Sequence, residues 1–172
     1  MATVLFYIAS AVAIGATVLV ITRANATHAL VYMVVSLLAV AVMFFLLGAP
    51  FAAALHVVMY AGAIMVLFVF VVMMLNLGQR TVARESGWLA PGIWIGPAIL
   101  TSILLAEMLW ILSASPSTQA GRVVPPDEVG RALYGEYLLT VELASILLLA
   151  ALVGAFHLGR RYLRVEPSVA AS

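Results

Sequence analysis

The chain has 172 residues, 66% hydrophobic and only 9% charged, with a mean hydropathy of +1.20. Soluble domains run near half apolar and about a quarter charged, so this composition excludes a soluble fold and leaves an integral membrane protein with room for roughly five spans. The net charge of +1 offers no field for nucleic acid, and the absence of cysteine excludes disulfides, thiolate-held metals and cysteine-held iron–sulfur clusters.

The first predicted span covers residues 2–22. No Lys or Arg precedes it, and its apolar run is too long for the core of a secretory signal, so Ala24-Asn25-Ala26 is not read as a cleavage site. Arg23, Asn25 and His28 make a short polar turn before a second span at 29–47, which the breaker Gly48-Ala49-Pro50 ends. The third span starts near Phe51 and runs to 77. After a polar connection with Arg80, Arg84 and Glu85, Trp88 and Trp94 bracket the start of a fourth span at about 91–112, with Trp110 at its far end, as interfacial aromatic rings would. A loop at 113–136 holds Pro116, Pro125, Pro126 and most of the acidic residues and is expected on the outer surface with partial order. The fifth span covers 137–158, and 159–172 form a tail carrying Arg160, Arg161 and Arg164.

The expected fold is therefore all-α, a single membrane domain of five transmembrane helices. With the N-terminus outside and the C-terminus cytoplasmic, Arg23, Arg80, Arg84, Arg160, Arg161 and Arg164 fall inside and only Arg122 and Arg131 outside. The opposite orientation would invert this positive-inside bias. The chain has no internal repeat, and its first span has no ionisable residue, which counts against a free-standing small transporter or proton channel.

Ionisable residues within spans are functional candidates because placing them there is costly. Here they are His56, Glu107, Glu142 and His157. Glu107 is expected to snorkel outward or to meet a polar neighbour, and His157 to be interfacial. Glu142 lies one turn before Ser145 and suits a structural anchor or a proton-handling group equally. His56 and Tyr60 share a helix face at i, i+4. The small patch Ala61-Gly62-Ala63 that follows implies a packing seam or a local distortion of the third span. No two histidines have the four-residue spacing of a metal pair.

Within that span, VMYAGAIMVLFVFVVMMLNL closely resembles the third transmembrane helix of the subunit J, or chain 6, family of proton-pumping NADH–quinone oxidoreductase, respiratory complex I. TRANATHALVYMVVSLLAVAVMFFLLGAPFAAAL, WIGPAIL and YLLTVELASILLLAALVGAFH resemble the same family in the same order. The resemblance implies a membrane-arm subunit of the enzyme that couples electron transfer from NADH to quinone with proton translocation. It further implies a bacterial inner-membrane location, with the quinone-chamber subunit, adjacent small subunits and antiporter-like subunits as partners. No cofactor is expected on this chain; FMN, iron–sulfur clusters and quinone would be carried by other subunits. In the family the third helix has a π-bulge near the Tyr, and its conversion to regular α-helix accompanies switching between enzyme states. By this resemblance Tyr60, Gly62, Ala63, Met65 and Val66, with His56 and Glu142, are the candidates for a conformational gate or hydrated proton path. His56 departs from many members, which carry Glu there, and so weakens any requirement for a carboxylate at that position. A purely structural assembly subunit is the remaining alternative.

Overall fold

The computed structural model describes residues 2–75, 91–113 and 122–162, and all of its regular structure there is helical. Five helices among them are long and apolar enough to cross a membrane. The chain forms two compact units, residues 1–125 and 126–172.

In the first unit, α1 (Ala2–Thr22) and α2 (Ala26–Leu46) form an antiparallel pair. Ala9, Val12, Ala13 and Ala16 recur at the spacing of one helix face and are buried, so small side chains let the backbones approach closely. Hydrocarbon supplies no hydrophobic drive between helices, so the seam relies on close van der Waals packing, to which polar contacts add. Thr17 and Ser36 hydroxyls lie 2.9 Å apart, and Ser36 also donates to the Ala13 carbonyl at 3.2 Å.

The turn between α1 and α2 is shorter than the sequence suggests. The Asn25 side chain accepts from the Thr27 N–H at 3.0 Å, which caps the helix and starts it at Ala26. His28, expected in the turn, therefore lies in the first turn of α2. Arg23 stacks over the Tyr32 ring at 5.4 Å, and Tyr32 is itself buried.

At its other end α2 closes in a Schellman arrangement. The Gly48 N–H bonds the Phe45 carbonyl at 3.1 Å, and the Ala49 N–H bonds the Phe44 carbonyl at 3.0 Å. Gly48 has φ +83°, and its carbonyl accepts from the Val124 N–H at 2.8 Å, so the chain after the fourth span docks on this turn. Pro50 then occupies the first turn of α3 (Pro50–His56), where its missing N–H costs nothing.

The third span (Pro50–Met74) is built from α3, a π-helical segment (Val57–Ile64) and α4 (Met65–Leu75). Residues 76–77, expected at its end, lie outside the described residues, as do Arg80, Arg84, Trp88 and Arg164. The fourth span is α5 (Pro91–Ser113), which packs on α1 and α2. Gly96 abuts the Tyr32 hydroxyl, so even a methyl group there would displace that ring. Leu104 joins Val12, Ala13, Ala16, Val35 and Ala39 in the core.

The second unit corrects two boundaries. The expected outer loop contains α6 (Pro126–Tyr134), a nine-residue helix with Asp127 and Glu128 in its first turn and an Asp127–Arg131 ion pair at i, i+4. Pro at the first helical position and acids at the positive end of the helix favour it, whereas the exposed ion pair adds at most about 0.5 kcal/mol. The last helix, α7 (Leu138–Tyr162), continues past the expected end at 158, because Gly159 weakens a helix without ending it, no proline follows within it, and cationic residues are favoured at a C-terminus.

A Cβ at Gly48 would meet the Arg122 carbonyl oxygen at 2.7 Å as well as the positive φ, whereas one at Gly15 on α1 meets nothing within 4 Å. Gly48→Ala should therefore destabilise the chain by about 1–2 kcal/mol or more, and Gly15→Ala should be neutral or stabilising by up to about 1 kcal/mol. Thermal unfolding in detergent, followed by circular dichroism, checks the contrast. Equal melting of the two variants would show that the turn is not held as described.

Candidate functional site

The π-helical segment lies at the middle of the third span and contains Tyr60, Ala61, Gly62 and Ala63. Its defining bond is on the page: the Met65 N–H reaches back to the Tyr60 carbonyl, five residues away, and to Gly62. Of the two readings left open by the small patch, the structure thus contains the local distortion. Gly62 suits it sterically, because a Cβ there would come within 3.3 Å of the Val57 carbonyl oxygen, again a residue five positions back.

His56 sits at the junction of α3 and the π segment. Its ring stacks on Tyr60, with centroids 4.6 Å apart and planes inclined by 19°, and its other neighbour is Phe44 of α2 at 5.5 Å and 60°. The i, i+4 pair expected from spacing is therefore formed, with Phe44 as a third member that spacing could not supply. The imidazole Nε2 is buried and has no hydrogen-bond partner among the described residues. Flanked by two aromatic rings, the buried Nε2 of His56 is held where a partner would have to be brought to it.

Downstream of the wide turn, Met65 is 1% exposed whereas Val66 is 64% exposed. The two are adjacent in sequence but face opposite environments: Met65 turns into the chain, and Val66 turns out together with Tyr60, which is 48% exposed. Beside the segment lies a cavity of about 440 Å³, lined by Val57 with Phe45, Ala53, Thr101, Leu105 and Met108, among others. Its walls are almost wholly apolar, and it gives the side chains at the start of the π segment room to repack.

Not every candidate belongs to this site. Glu142 lies in the second unit, exposed on α7, and the Ser145 hydroxyl one turn on is bonded within its own helix to the Val141 carbonyl at 3.0 Å. His157 is exposed on the same helix. Glu107 does not snorkel outward: it is 5% exposed, its polar neighbour is the backbone of Ala9, and neither carboxyl oxygen makes a regular hydrogen bond among the described residues. It lies on the same face of α5 as Leu104 and Ile111, both buried, and α5 as a whole holds that face against α1 and α2. Among the described residues no three His, Asp or Glu side chains are grouped to hold a metal ion.

Residues 16–158 match the family described as NADH-ubiquinone/plastoquinone oxidoreductase chain 6. The chain belongs to that family. Among its relatives is NADH-quinone oxidoreductase subunit J of Pseudomonas aeruginosa, 59% identical over 159 residues, covering 91% of this chain and 95% of the relative. Subunit J of Escherichia coli K12 is 54% identical over 156 residues, covering 90% and 85%. Subunit J of Buchnera aphidicola from Schizaphis graminum is 48% identical over 156 residues, covering 90% and 96%. The chain 6 match includes the third span whole, and the π segment of this family member lies at the Tyr60–Gly62 patch on which the resemblance rests.

Proposed function

We propose that the chain is a membrane-arm subunit of proton-translocating NADH:quinone oxidoreductase, with its third span acting as a conformational element that gates a hydrated proton path or relays motion towards the pumping subunits. The names and near-complete coverage of its relatives support the first part. The π segment at Val57–Ile64 is the observation that carries the second. A turn closed five residues back contains one residue more than an α-turn, so closing it as α-helix rotates everything downstream by about 100°. Such a rotation would exchange the environments of neighbours such as Met65 and Val66. His56 and Tyr60 would lie at the fixed end of this movement, with the buried imidazole edge positioned to meet incoming water.

The chain contributes no redox centre in this reading. FMN, iron–sulfur clusters and quinone belong to other subunits, and this subunit sits in the bacterial inner membrane as one membrane domain. Its exposed apolar faces are covered by the quinone-chamber subunit, adjacent small subunits and antiporter-like subunits. Glu142, exposed on its own helix, is available to such a neighbour. The arginine distribution supports an outside N-terminus and a cytoplasmic C-terminus.

Two measurements test this reading. Gly62→Val places a branched side chain against the Val57 carbonyl and stiffens the segment. It should leave the complex assembled but strongly reduce the quinone-reductase rate per assembled complex, while His56→Gln is tolerated. Normal turnover by Gly62→Val, once assembly is corrected for, would leave the third span as scaffold only. For orientation, Ser117→Cys and Ser168→Cys should react with an impermeant thiol reagent from opposite sides, with no native cysteine in the background. Labelling of the second and protection of the first in intact cells reverses the topology.

A further inference from the structure

The seam between α1 and α5 contains a group that the third span does not use. Glu107 is buried there, beside the backbone of Ala9, which is itself fully buried. Ala9 lies in the interior of α1, so its N–H, the polar group beside the carboxyl, is already committed to the helix's own ladder and can offer Glu107 only a weak, shared contact. Neither carboxyl oxygen has a hydrogen-bond partner among the described residues.

Among the described residues no counter-charge faces it either. Neither α1 nor α5 contains an Arg, Lys or His. Tyr7, the one titratable group on α1, is exposed and lines an open groove along the same two helices whose other walls, including Ile8, Leu100 and Ile103, are hydrocarbon. From α2, His28 lies near the opposite end of the seam, since about 20 Å of α1 separates Ala9 from Thr22. Tyr32 is engaged by Arg23 and abuts Gly96, eleven residues before Glu107 on α5. From α3, which faces α5 across the cavity, His56 is enclosed by Phe44 and Tyr60. A metal ion has no further ligands, since no three His, Asp or Glu side chains are grouped among the described residues.

We propose that Glu107 is a proton-binding site in the α1–α5 seam, holding one proton on its buried carboxyl at neutral pH. An ionised carboxylate accepts hydrogen bonds only, and among the described residues this seam offers it no uncommitted donor and no cation; the neutral acid carries its own donor and is the form the seam accommodates. Release breaks the carboxyl O–H bond, leaves the electron pair on Glu107 and passes the proton to a water as hydronium. It therefore requires water to enter between α1 and α5. The site is independent of the role assigned to the third span and stands or falls without it.

Infrared difference spectroscopy on the full chain in lipid nanodiscs at neutral pH tests it. The spectrum of wild type minus Glu107→Gln should contain a protonated carboxylic-acid C=O band that shifts down in deuterated water. The same band should appear against Glu107→Leu, which replaces the group by hydrocarbon, and both neutral variants should retain the wild-type helical circular dichroism. A difference spectrum containing only carboxylate stretches overturns the proposal. So does a carboxylic-acid band present against one variant and absent against the other, since it would then arise elsewhere in the chain.

Discussion

Within hydrocarbon every backbone N–H and C=O must find its partner inside the segment, because no water is there to replace it. The third span meets this constraint while containing one residue more than an α-helix can accommodate. Its solution is the bond from the Met65 N–H to the Tyr60 carbonyl. That wide turn sets the phase of all that follows: Met65 is buried and Val66 faces out because the extra residue has already rotated the helix. Were the turn closed four residues back, the side chains of α4 would present a different face to α2.

The remainder of the first unit is a rigid frame for this element. The small-residue face of α1, the Thr17–Ser36 contact and the Schellman turn at Gly48 hold the helices around the third span in place. Gly48 also ties the described end of the chain segment after the fourth span to the start of the third. Against this frame the π segment contrasts in its chemistry: a stacked His56–Tyr60 pair, an unpartnered imidazole nitrogen and an apolar cavity beside Val57. Packing is tight where the helices meet through alanine and looser where the wide turn begins.

Much of this was legible in the residues. Five apolar runs separated by Asn25, Gly48-Ala49-Pro50, the polar connection with Arg80, Arg84 and Glu85, and the proline-rich stretch at 113–136 carry their own spans, since hydrophobicity and breakers act locally. The His56–Tyr60 face followed from i, i+4 spacing. The π-helical turn itself had no local signal, because a glycine between alanines permits close packing as readily as an irregular turn; only resemblance placed one there. The α6 helix was missed despite signals that were present, Pro126 followed by Asp127, Glu128 and Arg131, because the density of prolines around it dominated the reading as loop. Glu107 could not be placed from sequence at all. Its burial depends on Ala9 lying opposite, a fact of tertiary packing, and a long side chain near a span end otherwise favours the water surface.

The central claim is that the extra residue in the third span serves turnover and not merely packing. Deleting Ala63 removes one residue from the π segment, so the span closes as ordinary α-helix with Met65 still directed at α2. The direct measurement is the quinone-reductase rate per assembled complex in membranes carrying that deletion. Assembly with a rate reduced to a small fraction of wild type is the expected result. A deletion variant that assembles and turns over at the wild-type rate would contradict the claim and leave the wide turn as an accommodation of the Tyr60–Gly62 sequence alone.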